Sequence, residues 1–213
     1  GDFILAQVDS DFVVQTRQMS GAPTWPDASV NSAVATRMGN SKVAVCLASG
    51  LFIDNVPTAL ASGHALSTPD GVDVSRNGNV YFITSPGGNS VRATVHTSYI
   101  DVLVGIGGCC GHTVKGLLAN HAGNVDQLAA RDGAVLTNPF NFDAFYHHYT
   151  DSWRVSPKES LLPACGKAAE LGIPGRAFFA RDLDQKAFAH AREIALAAGV
   201  KEGPLLDAAT LDV

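Results

Sequence analysis

The chain has 213 residues, of which 46% are hydrophobic, so it can bury a core in one or two domains. Only 16% of the residues are charged and the net charge is -5, without any run of Lys or Arg, which argues against a nucleic-acid or anionic-membrane partner. The longest apolar runs, such as 99–106, have the length of a strand and fall short of the ~18 residues of a membrane-spanning helix.

Residues 1–105 consist of short strand-like runs separated by turn residues. Gly39-Asn40 and Asn77-Gly78 each stand between two such runs and predict tight hairpins, because both residue types tolerate a positive φ. Apolar and polar residues alternate over 91–96, as in a sheet with one solvated face. Strands that recur roughly every ten residues are typical of an antiparallel sandwich or barrel.

Residues 107–141 are rich in turn-forming types and predict loops. Phe142, Phe145, Tyr146 and Tyr149 then follow the i, i+3, i+4, i+7 spacing of one helix face, so a short amphipathic helix is expected there. A strand around Trp153 is expected to return the chain to the sheet, with its indole filling core.

The composition changes after Pro157, where Ala-rich segments indicate helices. In the segment 182–200, Asp182 is expected to cap the helix at its start and Gly199 to end it. The sequence therefore predicts two domains, a β domain over 1–156 and a small helical domain over 157–213.

Four cysteines, Cys46, Cys109, Cys110 and Cys165, are disulfide candidates with three conceivable pairings. We expect Cys109 and Cys110 each to bond to one of the other two, since a vicinal bond between them is less favourable. A zinc site at 109–112 is a weaker alternative, because adjacent cysteines rarely point both thiolates at one tetrahedral centre. Four reduced thiols in a cytosolic protein are a further alternative.

Six segments, taken in order, carry a family resemblance: GDFILAQ, FVVQTRQ, VNSAVATRMG, GLLANHAGN, LAARDGAVL and YTDSWRVSPKESLL. Together they resemble a von Willebrand factor type D domain, and the tail resembles the helical cysteine-containing segment that often follows one. The resemblance implies a mainly β protein, an antiparallel sandwich of that type with a small C-terminal helical domain.

The chain departs from the family pattern at both ends of the match. The Gly-Asp-Pro-His strand and the Phe-Asp-Gly segment that usually open the domain do not precede Gly1, so we expect that its first strands are missing. In the tail, Ala195 and Ala209 stand where the family pattern places cysteines, which is what the loss of one disulfide would look like.

The resemblance places a calcium loop at 120–127. Asn120, Asn124 and Asp126 can offer oxygen ligands there, although this loop is poorer in carboxylates than the family's. Calcium is accordingly the one cofactor expected. The alternative is that the Asn side chains cap the turn.

The resemblance implies a non-catalytic binding or assembly module of a larger secreted, periplasmic or cell-surface protein. Its partners would be other chains or domains of that protein, and no enzyme activity is expected. One alternative is a secreted enzyme or accessory domain with a pocket in the loops 105–127, around His112 and His121. Another is a carrier of an apolar ligand such as a lipid or pigment. A convergent pocket of histidines with Asp126 or Asp132 would favour catalysis, and an apolar patch would favour binding.

Overall fold

The computed structural model describes residues 1–21, 25–108, 113–141, 143–168 and 184–201, together with 206 and 210, and gives the backbone alone for 25–28. Contacts divide the chain into two compact units, Gly1–Ile173 and Pro174–Val213. The first unit holds all of the described strands. The sequence predicts the boundary earlier, near residue 156, whereas Leu161 and Leu162 pack in one apolar cluster with strands of the first unit.

A six-stranded antiparallel sheet forms one layer of the first unit, with its strands in sequence order. Its strands are β1 (Asp2–Gln7), β2 (Phe12–Gly21), β3 (Trp25–Met38), β4 (Ser41–Cys46), β5 (Gly50–Ile53) and β6 (Val56–Pro57). The hairpin predicted at Gly39-Asn40 is confirmed, since it joins β3 to β4 with Met38 opposite Ser41.

A five-stranded antiparallel sheet forms the second layer and also follows sequence order, from β7 at one edge to β11 at the other. Its strands are β7 (His64–Ser67), β8 (Asp73–Asn77), β9 (Val80–Thr84), β10 (Ser90–Val95) and β11 (Ile100–Gly105). Asn77 pairs with Val80, so the predicted Asn77-Gly78 hairpin is confirmed as well. The prediction of a mainly β, antiparallel fold is therefore confirmed.

The two sheets pack face to face around the main core. Val14, Val34 and Val45 of the first sheet and Val74 and Val91 of the second are at most 1% exposed and belong to one cluster. At one end Asn31 links the layers: its Nδ2 donates to the carbonyl of Ile100 in β11, and its Oδ1 accepts from the Thr16 hydroxyl of β2. The first unit is thus a sandwich that apolar packing closes, and the Asn31 amide links its two sheets.

The outer face of the six-stranded sheet is covered by residues 156–166, here called the strap. Leu161 and Leu162 pack on Val13 and Ala44 in a second apolar cluster. The Cys46–Cys165 disulfide bonds the strap to β4. The expectation that each of these cysteines bonds to Cys109 or Cys110 is therefore wrong; those two residues and the proposed zinc site at 109–112 lie outside the described part of the chain.

Buried polar groups add to this attachment. Arg17 forms a bidentate pair with Asp2, at 2.7 and 3.0 Å, and also donates to the carbonyls of Leu162, Cys165 and Gly166. Burial alone would raise the pKa of the Asp2 carboxyl, but hydrogen bonds from Arg17 and the Ser160 hydroxyl outweigh it and hold that pKa below its usual value.

The free side of β1 is covered by two chain segments. The backbone of Lys115 exchanges two hydrogen bonds with Gln7, and the 153–155 stretch bonds to β1 nearer its start. Trp153 is 3% exposed, so its predicted place in the core is confirmed, and Arg154 pairs with Asp151. The strand predicted there is a single bridge, between Phe3 and Arg154. A short hairpin, β12 (Gln127–Ala129) and β13 (Val135–Thr137), completes this region, where the sequence predicted only loops.

The aromatic segment after residue 142 is helical, as predicted, and forms a π-helix over Ala144–Thr150. Tyr149 is its buried residue and donates from its hydroxyl to the carbonyls of Gly116 and Leu117. Phe142 lies outside the described residues.

In the second unit, α1 (Gln185–Ala197) buries Ala191 and Ala195. Its N-cap is Asp184, whose carboxylate accepts from the backbone N–H groups of Lys186 and Ala187, whereas the sequence predicted Asp182, which is outside the described residues. Gly199, at φ +89°, follows its end as predicted. Among the described helices none combines the length and the apolar character needed to span a bilayer.

Candidate functional site

An open groove of about 550 Å³ lies beside the end of β11. Val104 and Ile106 contribute from β11 and its continuation, Ala6 contributes from β1, and the rest of the described lining comes from 113–123. That segment supplies Thr113, Val114, Leu118, Ala119, Asn120, Ala122 and Gly123. No ionisable side chain stands among these described lining residues. The described lining of the groove thus offers apolar side chains beside polar groups, and no acid or base for catalysis.

Two glycines fix the β11 side of the groove. A Cβ on Gly105 would collide with the Ser90 hydroxyl, and one on Gly107 would collide with the backbone of Gly87. The Gly107 N–H also donates to Oδ1 of Asn89, at 2.9 Å. Ile106, which is 37% exposed, thus stands between a close side-chain contact at Gly105 and a close backbone contact at Gly107. The sequence run 105–108 gives a local signal for this, since closely spaced glycines permit such approaches.

Gly116 fixes the opposite segment against β1. It has φ +117°, and a Cβ there would lie 2.5 Å from the carbonyl oxygen of Leu5. The N–H groups of Leu117 and Leu118 donate to the carbonyls of Ile4 and Leu5. Leu118 nevertheless remains 60% exposed and belongs to the groove lining.

The outer edge of β11 carries backbone groups directed away from the sheet. The N–H of His96 donates to the carbonyl of Tyr99 across the hairpin turn, which sets the alternation of hydrogen-bonded pairs along β10 and β11. By that alternation Asp101, Leu103 and Gly105 bond to β10. The backbone groups of Val102, Val104 and Ile106 point the other way.

Three further hydrogen bonds agree with this alternation. The Val95 N–H bonds to Asn79 on the β9 side, the Gly107 N–H bonds back to Asn89, and the Ile100 carbonyl accepts from Asn31 on the outer side. Among the described residues, the outward groups of Val102, Val104 and Ile106 have no hydrogen-bond partner, and β3 borders this side of β11 at Asn31.

The predicted calcium loop lies next to the groove and is exposed. Asn124 Oδ1 accepts from the Asp126 N–H at 3.0 Å, and Asp126 Oδ1 lies 3.4 Å from Nδ2 of Asn138. Asn120 lines the groove instead. Among the described residues no three His, Cys, Asp or Glu side chains come together as a metal site. The Asp126 carboxylate and the Asn124 side-chain oxygen already take part in hydrogen bonds, and calcium here stays a prediction.

Among the described residues, the candidates of the enzyme alternative do not line the groove. His148, on the π-helix, lies 2.8 Å from Asp132, and both side chains are about half exposed. Its hydrogen bond lowers the pKa of the Asp132 carboxyl. His121 takes part in the 120–127 turn, where its N–H donates to the carbonyl of Gln127. His112 is outside the described residues.

The carboxyl of Glu159 in the strap has a strongly lowered pKa. The backbone N–H of Ser156, the Arg131 guanidinium and the Ser156 hydroxyl lower its pKa to about 2. Because these partners complete a surface link between the strap and the 131 turn, the shift reflects attachment of the strap.

No family model matches the chain, and no curated protein matches it either. The resemblance to a von Willebrand factor type D domain therefore stays a prediction that rests on the quoted motifs.

Proposed function

We propose that this chain is a non-catalytic binding or assembly module of a larger extracellular or cell-surface protein, as its resemblance to the von Willebrand factor type D domain implies. The observation that carries the proposal is the groove beside β11, whose described lining combines apolar side chains with Thr113, Asn120 and exposed backbone. None of the described lining residues is ionisable, which favours binding over chemistry.

The disulfide supports the extracellular part of the proposal. Cys46 is 4% exposed and its bond to Cys165 spans 119 residues of sequence, so it cross-links the sheet to the strap. Disulfides of this structural kind persist in oxidising compartments and are rare in the cytosol. Alkylation of the protein from its native source, followed by non-reducing peptide mapping, should recover Cys46 and Cys165 in one linked peptide pair. Two alkylated thiols would count against an extracellular location.

The binding role is tested at the groove with the neutral apolar dye Nile red. We expect saturable fluorescence enhancement with the purified chain and at least a tenfold weaker affinity for Leu118→Asp, because the charge enters the groove lining. Val125→Asp is the matched control, since Val125 is 80% exposed in the same loop region and does not line the groove. Equal affinity of all three proteins would remove the groove as the binding site.

A carrier function is the second candidate, favoured by the same apolar lining. Solvent extraction of the natively isolated protein followed by mass spectrometry separates the two. A stoichiometric apolar small molecule would indicate a carrier, and an empty extract together with dye binding would favour a protein-binding groove.

A further inference from the structure

We propose that Arg37 and Lys42, on the outer face of the six-stranded sheet, together bind one phosphate or sulfate group. The two residues lie directly opposite each other on β3 and β4. Neither stands among the described residues that line the groove, so this site goes beyond the proposed binding function and does not depend on it. The ligand class is a doubly charged oxyanion, either free or as an ester.

The register of β3 and β4 brings the two cations together. Ala35 pairs with Ala44, and two residues further along the face Arg37 pairs with Lys42. Ala35 and Ala44 belong to the apolar cluster under the strap. Because side chains alternate between the two faces of a sheet, Arg37 and Lys42 share that outer face. Like charges directly opposite each other destabilise a sheet, and a bound anion would relieve their repulsion.

The guanidinium of Arg37 has donors left over. Among the described residues only its Nη2 has a partner, the carbonyl of Ser10 at 2.7 Å, and its Nε is buried without one. A buried donor without a partner is unfavourable, and an anion is one of the groups that satisfy such donors. Arg17 shows what this edge of a guanidinium binds, because its Nε and Nη2 hold the two carboxylate oxygens of Asp2.

Lys42 supplies the second positive charge. Among the described residues its ammonium group forms neither a hydrogen bond nor an ion pair, and both cations are partly exposed. Its long stem is flexible, and movement of that stem gives a ligand access to the guanidinium. The carboxylates beside the pair are engaged elsewhere. Oδ1 of Asp54 accepts from the backbone N–H of Lys42 at 2.8 Å, and Oδ1 of Asp11 accepts from the Ser10 hydroxyl.

The arrangement of the donors favours a doubly charged oxyanion over a carboxylate. A carboxylate carries one charge and is matched by a single guanidinium fork, as in the Asp2–Arg17 pair. Here two cations stand on separate strands, and an ammonium group binds phosphate as a point charge with rotatable donors. A tetrahedral phosphate or sulfate can accept from Arg37 with one oxygen and from Lys42 with another.

Titration with sodium sulfate, followed by NMR at an ionic strength held constant with chloride, tests the site. The Nε–H signal of Arg37 and the backbone signals of 36–43 should shift in a saturable way. Acetate should bind about tenfold more weakly, because it lacks the oxygens to reach both cations. Acetate that binds as tightly as sulfate would overturn the choice of ligand, and the absence of saturable shifts would overturn the site.

Inorganic phosphate and O-phosphoserine then distinguish the two sources of the oxyanion. Both should shift the same signals as sulfate. Tighter binding of O-phosphoserine would indicate a group carried as an ester, and tighter binding of inorganic phosphate would indicate the free ion.

Arg37→Gln and Lys42→Gln each remove one cation and should weaken sulfate binding about tenfold, the loss expected for one hydrogen bond to a charged group. Arg92→Gln is the matched control, because it changes the net charge equally at an exposed position on β10 of the other sheet. It should bind sulfate unchanged. Equal weakening in all three would indicate attraction to net charge alone and overturn the site. If Arg37→Gln does not fold, Lys42→Gln alone decides.

Asp54→Asn tests the position of the ion through a neighbouring like charge. The Asn side chain keeps an oxygen to accept the Lys42 N–H but removes the negative charge beside the ligand. Sulfate should therefore bind about two- to fivefold more tightly. Binding that does not tighten would place the ion away from Arg37 and Lys42 and contradict the assignment.

Discussion

Two threonines on the inner face of the six-stranded sheet differ in how their hydroxyl groups are satisfied. Thr16 is fully buried and donates to Asn31 Oδ1 at 2.6 Å, whereas Thr36 is 1% exposed and its hydroxyl has no hydrogen-bond partner among the described residues. A buried polar group without a partner is costly. Thr36→Val should therefore raise the free energy of unfolding by about 1 kcal/mol, measured by urea denaturation.

Thr16→Val is the matched control for that measurement, because it makes the same chemical change one strand away. It removes a donor from Asn31 and should lower the free energy of unfolding by about 1 kcal/mol. The same sign for both variants would show that hydrogen bonding at these sites does not decide stability.

Asp2 and Arg17 form a buried ion pair with side-chain exposures of 7% and 8%. Asp2→Asn leaves the Arg17 guanidinium buried without its carboxylate, so the variant should lose about 3–5 kcal/mol of unfolding free energy. Arg131→Met breaks the exposed pair with Glu159 and should lose less than about 1 kcal/mol. Equal losses of unfolding free energy, measured by urea denaturation, would show that breaking the buried pair costs no more stability than breaking the exposed one.

Acid should weaken the attachment of the strap. The pKa values of Asp2 and Glu159 are both lowered in the folded chain, that of Glu159 from 4.5 to about 2. A lowered carboxyl pKa contributes stability that is complete above the unfolded value and is lost as pH falls through the folded one. Stability should therefore decline from about pH 4.5 towards pH 2, and Glu159→Gln should make the decline shallower in pH-dependent thermal unfolding.

At the level of the elements, the hairpins could be predicted because a hairpin is specified by residues that are neighbours in sequence. Gly39-Asn40, Asn77-Gly78 and the alternation over 91–96 identify three such regions. β6 and β12 are only two and three residues long and carry no such pattern. The groove likewise depends on Gly116 placing a distant segment against β1, which no local signal specifies.

The strap is held by contacts between residues far apart in sequence, so its pairing could not be deduced from cysteine spacing. We expect the Cys46→Ala/Cys165→Ala variant to lose about 2–5 kcal/mol of unfolding free energy, since the bond restricts a long loop in the unfolded chain. Chemical denaturation of the variant and of the reduced wild type should agree. A stable variant would show that Leu161, Leu162 and the Arg17 bonds hold the strap alone.

For the molecule as a whole, the predicted binding of calcium can be measured directly through its effect on stability. If the 120–127 loop binds the ion, its few ligands imply a dissociation constant in the millimolar range of extracellular modules. Thermal unfolding in 10 mM calcium should then occur at a higher midpoint than in chelator, with a gain of roughly 1 kcal/mol. Asp126→Asn should abolish the gain, and equal midpoints for the wild type would remove calcium from the proposal.

The disulfide also determines how the β unit would respond to mechanical tension applied through the chain on either side of it. With Cys46 bonded to Cys165, pulling is transmitted across the bond, and the residues between them, over a sequence separation of 119, are shielded from extension. Those residues, at about 3.4 Å each, correspond to about 400 Å of hidden length. Single-molecule stretching should gain that length only after reduction, so the redox state would set how far the module lengthens under load.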